Sequence, residues 1–227
     1  MGAQGHIPPS VLRLLERAPT DRAVVLLLRH SVRDPLPSDD VGYSQAITDV
    51  GRQLAFKLGA IIKDRLGSLH ASPLLRCVQT AWALADGAGV DMEVVENRLL
   101  GDPGVFVLDE RRAWTNWEQL GHEGVMNHLV NETTALPGMA RPDEAARLLV
   151  RSMFADAAGR FGVHVFVTHD SIVTATAARL LGRPLGRDDW PDFLEGAFFW
   201  SVEDSVFAAY RDDEAISPRL LCSLVER

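Results

Sequence analysis

The residues best placed to do chemistry are Arg29, His30 and Arg33, in the stretch Arg29-His30-Ser31-Val32-Arg33-Asp34-Pro35 directly after the apolar run Ala23 to Leu28. Guanidinium groups stay protonated and present planar forks of donors that match phosphate oxygens. Two of them flanking an imidazole form a pre-charged anion cradle. Neighbouring cations lower the pKa of the imidazole, which leaves it an unprotonated nucleophile suited to phosphoryl transfer through phosphohistidine. The plainer reading of the heptapeptide alone is a strand-end turn with two solvated arginines.

A second apolar run, Val163 to Thr168, also ends in a histidine, His169, followed by Asp170 and a helical pattern through Leu180. If both runs are strands of one parallel sheet, His30 and His169 project from the same rim, where ligands gather in α/β folds. Asp170 then either caps the following helix or protonates a leaving oxygen. Between the two lies Leu69-His70-Ala71-Ser72-Pro73-Leu74-Leu75-Arg76-Cys77, which reads as a short strand, a Ser72 N-cap, Pro73 at the first helical position and a helix. Arg76 falls in the first turn. The helix dipole disfavours a cation there, so an external anion explains it better.

Four segments together resemble the histidine phosphatase superfamily, also called phosphoglycerate-mutase-like. Arg29-His30 with Arg33 and Pro35 is similar to the Arg-His-Gly-x-Arg-x-Pro signature of its acid phosphatase branch, and Thr48-Asp49-Val50-Gly51-Arg52-Gln53 resembles that branch's helix start. Ser72-Pro73-Leu74-Leu75-Arg76-Cys77-Val78-Gln79-Thr80-Ala81 looks like the segment shared across the superfamily, and His169-Asp170 like the acid phosphatase His-Asp pair. The resemblance implies a three-layer α/β sandwich with a mostly parallel central sheet. It also implies a nucleophilic His30, phosphate ligands Arg29, Arg33, Arg76 and His169, and no metal or other cofactor. One branch takes its proton donor from the His-Asp pair and the other from the loop after the third strand, so the acids rank Asp170, Asp102, Glu96. Ser31 stands where the family usually has glycine, which raises the question of local backbone geometry.

The elements that must position these groups form one domain over residues 1–227, with 101–142 as a cap or substrate-selecting insertion rich in glycine, proline and tryptophan. Helices are expected near 9–18, over 48–66 with Val50, Leu54, Leu58, Ile61 and Ile62 inward, and over 143–160 with Ala145, Leu148, Leu149, Met153 and Ala157 inward. A hairpin spans Phe198 to Tyr210 about Glu203-Asp204, and Arg219 to Val225 suits a last edge strand. Loop 190–196 borders the pocket or simply turns the chain. Arg111 and Arg112 are possible contacts to an acidic substrate. The pairs His164/His169 and His122/His128 lack zinc-site spacing.

A net charge of −8, with Lys57 and Lys63 the only lysines among 23 basic residues, argues against nucleic-acid binding. The longest apolar run, six residues, is far too short to span a membrane. Cys77 and Cys222 suit free thiols in a reducing cytoplasm. The expected partner is a small phosphorylated substrate or a phosphoprotein. The leading function is a phosphomonoester hydrolase; a mutase and a non-catalytic phospholigand-binding regulatory module are the alternatives.

Overall fold

The run after Arg22 forms β1 (Ala23–Arg29), whose side chains are divided between two cores: Val24, Leu26 and Leu28 enter one, Val25 and Leu27 the other. A strand apolar on both faces belongs in the middle of a covered sheet. The computed structural model, which describes residues 5–36 and 42–217, places it there. On one side β1 pairs in parallel with β4 (Gly162–Thr168), which pairs with β2 (Leu66–Ala71), which pairs with β3 (Val94–Glu96), all parallel. On the other side β5 (Gly196–Val202), β6 (Ser205–Tyr210) and β7 (Asp213–Ser217) extend the sheet antiparallel. The order is β3-β2-β4-β1-β5-β6-β7.

Helices α1 (Pro9–Arg17), α2 (Asp49–Ile62) and α3 (Leu75–Ala88) cover one face. The other is covered by α4 (Glu110–Asn131), α5 (Pro142–Ala157) and α6 (Asp170–Leu181), giving the expected three layers. None of the described helices is long and apolar enough to cross a membrane.

The α2 helix starts where the sequence suggests, with Thr48 as N-cap accepting from the Gly51 amide at 3.0 Å. It stops at Ile62, because the chain turns through Lys63–Arg65 to begin pairing at Leu66. Val50 and Ile61 face solvent, as does Leu148 on α5. Each lies at helical spacing beside the buried stripe, but the packed face is narrower than the apolar one. The segment expected to be irregular contains α4, a 22-residue helix capped by Asp109 and broken at Gly121, whose φ of 67° and ψ of 175° interrupt it. That break resets the helical phase, which is why no single apolar period runs through it. Cys222 and the strand expected over Arg219–Val225 lie outside the described residues.

The α2 and α3 helices meet backbone to backbone. A Cβ built on Gly59 would lie 2.1 Å from the Leu84 carbonyl oxygen, and one on Gly87 would lie 1.9 Å from that of Phe56. Neither carbonyl can retreat without breaking its helix. Gly87→Ala is therefore expected to destabilise the protein by about 1–3 kcal/mol through overpacking, even though alanine is the better helix former. Urea unfolding of the variant checks this; an unchanged or raised midpoint would show that the helices separate freely.

Candidate active site

Parallel pairing of β1 with β4 sets Arg29 opposite Thr168, and the His30 amide donates to the Thr168 carbonyl at 2.9 Å. The two histidines thus leave adjacent strand ends side by side, their ring centroids 5.7 Å apart. The turn after His30 is tied from below. The Ser31 amide donates to Thr80 Oγ1 at 3.0 Å, its hydroxyl donates to the Gly51 carbonyl at 2.7 Å, and the Ile47 amide donates to Gln79 Oε1 at 3.0 Å. Ser31 has a negative φ, so the position makes no demand for glycine.

His30 is buried, and its Nδ1 lies 2.8 Å from the Ser31 carbonyl oxygen. A carbonyl only accepts, so Nδ1 carries the proton and the lone pair resides on Nε2. Burial first, then the charges of His169, Arg29 and Arg76, hold the imidazole well below its usual pKa despite the Ser31 bond. His169 is pushed down to about 3 by burial and by Arg76. Its Nδ1 lies 3.3 Å from Arg76 Nη2, and its Nε2 lies 3.1 Å from Ser72 Oγ. Gly101 packs against this ring, where a Cβ would come within 2.7 Å of Nε2.

Three arginines surround the pair. Arg29 donates to the Pro191 carbonyl at 2.6 Å, lies 2.9 Å from Asp170 Oδ2 and stacks 4.3 Å over the Phe193 ring. Arg76, buried at the second position of α3, donates to the Gly42 carbonyl at 2.6 Å. Arg33 donates to the carbonyl of Asp34. The Nε atoms of all three are buried with no hydrogen-bond partner among the described residues. Burial and mutual repulsion lower the pKa of Arg33, and burial that of Arg76. The side chains of Arg29, Arg33 and Arg76 all line one cavity with His30 and His169, which gathers their charge beside the two imidazoles.

Asp170 is the first residue of α6, and His169 holds the N-cap position without a side-chain cap. Burial opposes ionisation of Asp170, but Arg29, His122 and the Ser171 amide outweigh it and bring the carboxyl below its usual pKa. Asp102, in the loop after β3, also lines the cavity and is bound by the Tyr43 hydroxyl, whose pKa is pushed up to about 12 by that bond. Glu96 is exposed and does not line the cavity. Ser72, expected as the N-cap of α3, instead faces His169; the cap position is Leu74, and the helix begins at Leu75.

The cradle opens into a cavity of about 780 Å³ lined by Arg29, His30, Arg33, Arg76, His169, Asp170 and Asp102 together with much of 101–139. Loop 190–196 does border it, through Trp190, and the Phe193 ring centroid lies 5.6 Å from that of His30. His122, set aside on its spacing from His128, lines the cavity with its ring 5.3 Å from that of Trp190. Tyr43, Glu110 and Arg187 also line it without having stood out; each arrives from a loop or helix end that only tertiary packing brings near. Arg111 and Arg112 are exposed and outside the lining.

The family model of the histidine phosphatase superfamily (branch 1) matches residues 25–193. No curated protein matches the sequence significantly. Among solved structures, a mutant phosphoserine phosphatase from Entamoeba histolytica in complex with phosphoserine is 14% identical with a TM-score of 0.57, over 84% of this chain and 97% of its own. The mycobacterial glucosyl-3-phosphoglycerate phosphatase is 16% identical with a TM-score of 0.51, over 86% and 98%. A phosphoglycerate mutase from Bacillus anthracis is 13% identical with a TM-score of 0.52, over 88% and 94%. At these identities the likeness is one of fold.

His30, His70, His164 and His169 are all held below the ordinary histidine pKa, with burial the leading cause. As pH falls below about 6.5, the unfolded chain takes up protons that the native state refuses. Stability is then fully present above that value and declines below it, by up to about 1.4 kcal/mol per pH unit for each histidine. Urea midpoints should be flat from pH 7 to 8 and fall steadily from 6.5 to 4.5. A midpoint constant through the lower window would mean that the histidines are charged in the native state.

Proposed function

Because the chain belongs to the histidine phosphatase superfamily, branch 1, we propose that it is a phosphomonoester hydrolase in which His30 accepts the phosphoryl group. The observation that carries this reading is the lone pair of His30 Nε2, fixed by the Nδ1 bond to Ser31, in a cavity lined by the three arginines Arg29, Arg33 and Arg76. Three guanidinium charges against the single carboxylate of Asp170 leave an excess of two. A phosphomonoester carries about −1.5 to −2 at neutral pH, a matching charge.

In the first step Nε2 attacks phosphorus in line, the bond to the alcohol oxygen breaks, and its electron pair leaves with that oxygen. Arg29, Arg33, Arg76 and His169 hold the non-bridging oxygens as charge shifts among them, so the arginines supply the electrostatic stabilisation. Asp170 gives the departing alkoxide a proton. Without substrate Arg29 keeps this carboxyl ionised. An entering phosphate draws Arg29 to itself and adds negative charge alongside, and both effects raise the proton affinity of Asp170. Water then attacks the phosphohistidine, the bond to Nε2 breaks with its pair returning to the ring, and the carboxylate takes the water's proton. Asp102 is the alternative donor, because it lines the same cavity.

Segment 101–142 serves as the cap that selects the alcohol. Hydrolysis is favoured over mutase chemistry by the half-exposed Trp114 in the cavity wall, since return of the phosphoryl group to a retained substrate requires water to be shut out. A reducing cytoplasm suits the free, buried Cys77.

With excess chelator present, the wild-type protein should hydrolyse p-nitrophenyl phosphate, and His30→Ala should lower kcat by about 10,000-fold or more. A well-folded wild type without turnover, or an active variant, would overturn the reading. Asp170→Asn should cost alkyl phosphates about 100-fold to 10,000-fold in kcat while sparing p-nitrophenyl phosphate, whose leaving group departs unprotonated. If Asp102→Asn shows that split instead, the acid is Asp102.

A further inference from the structure

Beyond the arginine cradle the cavity changes character. Its wall there is built by Phe106, Trp114, Trp117 and Met139 from segment 101–142, Ile172 from α6 and Trp190 from the loop before β5. Trp114 is 53% exposed, unusual for the largest apolar side chain, and its indole N–H donates to Glu118 at 3.1 Å, which fixes the ring's orientation. Trp190 is fixed as well: its carbonyl accepts from Arg211 at 2.9 Å, the His122 ring meets it edge-on, and the Arg187 guanidinium lies 5.1 Å above it. Two indoles are thus held in place along a wall.

The charges of this outer part complete the picture. Asp102 and Glu110 line it, Asp102 with Arg98 Nη2 3.6 Å away and the Tyr43 hydroxyl donating to it. Arg187 also lines it, 3.6 Å from Glu123, as does His122, whose ring lies against Trp190. A carboxylate on the alcohol half of a substrate would therefore meet the acidic side chain of Glu110 and aromatic faces, whereas a flat neutral ring would stack on the indoles. At about 780 Å³ the cavity is also of a size that encloses a ligand well beyond a phosphate group.

Resting on the phosphomonoester reading above, we propose that the alcohol half of the substrate is a bulky, uncharged aryl or comparably flat apolar group, and that Trp114 and Trp190 select it. Small carboxylate-bearing monoesters such as phosphoserine are then poor ligands. Calorimetric titration of full-length His30→Ala with 1-naphthyl phosphate, phosphoserine and inorganic phosphate tests this without turnover. The expected result is a Kd for 1-naphthyl phosphate at least about tenfold below that for phosphoserine. Adding Trp114→Ala should erase most of that ratio while leaving inorganic phosphate affinity in place, and Trp114→Phe should restore it. Phosphoserine binding as tightly as the naphthyl ester, or a ratio indifferent to Trp114→Ala, overturns the inference. Wild-type turnover of both esters, measured alongside, separates the two readings. Preferential binding without hydrolysis would sink the hydrolase and leave the ligand class standing; hydrolysis without preference would do the reverse.

Discussion

Everything at this site depends on one run of backbone hydrogen bonds, the parallel ladder between β1 and β4. Its register brings Arg29 level with Thr168, so the residues that leave the two strands, His30 and His169, leave at the same height. A parallel slip by one residue would turn every side chain of a strand to the opposite face, and both cores would then fail together. The alternation of Val24, Leu26 and Leu28 with Val25 and Leu27 between two apolar layers is therefore what fixes the position of the imidazole. Thr168 adds to this control: its hydroxyl donates to the Leu100 carbonyl at 2.5 Å, so the strand end that presents His169 also holds the loop carrying Gly101 and Asp102.

The inner part of the site was legible in the sequence because it is local. Arg29, His30, Arg33, Arg76, His169 and Asp170 each sit within a few residues of a strand end, where an apolar run stops and polar residues begin. The outer part was not. Tyr43, Glu110, His122 and Arg187 reach the cavity from separate segments whose local patterns are unremarkable, and only the packing of α4 and the loop before β5 brings them together. Helix faces show a similar limit. The spacing of Val50, Ile61 and Leu148 fits a buried stripe, yet the angular width of that stripe is set by the neighbouring helix, which a single periodic pattern does not encode. Ser72 was misread for a related reason: Ser-Pro has the local form of a helix start, while the tertiary demand of His169 claims the hydroxyl.

The cradle also opposes the stability of the fold that holds it. Burial and mutual repulsion lower the pKa of Arg33, and Arg76 is buried at a helix N-terminus where the dipole disfavours it. Besides the Asp170 carboxylate beside Arg29, the structure restrains these groups with neutral partners: the carbonyls of Gly42 and Pro191 and a face of Phe193. Carbonyl oxygens orient a guanidinium without cancelling its charge, so the site stays positive and preorganised. The buried Glu195 supports the same end at a distance. It accepts from Arg211, Ser10 and the Asp192 amide, and this anchors the loop that places Pro191 and Phe193 against Arg29.

Ser31 links this chemistry to the start of α2. Its hydroxyl is spent on the Gly51 carbonyl, while Gly51 itself has no room for a side chain because a Cβ there would lie 2.3 Å from the Val32 carbonyl oxygen. The two positions are thus reciprocal parts of one joint between the nucleophile turn and the start of α2. A side chain at position 51 would force the turn outward, so the nucleophile inherits its geometry from the start of a helix that does not line the cavity.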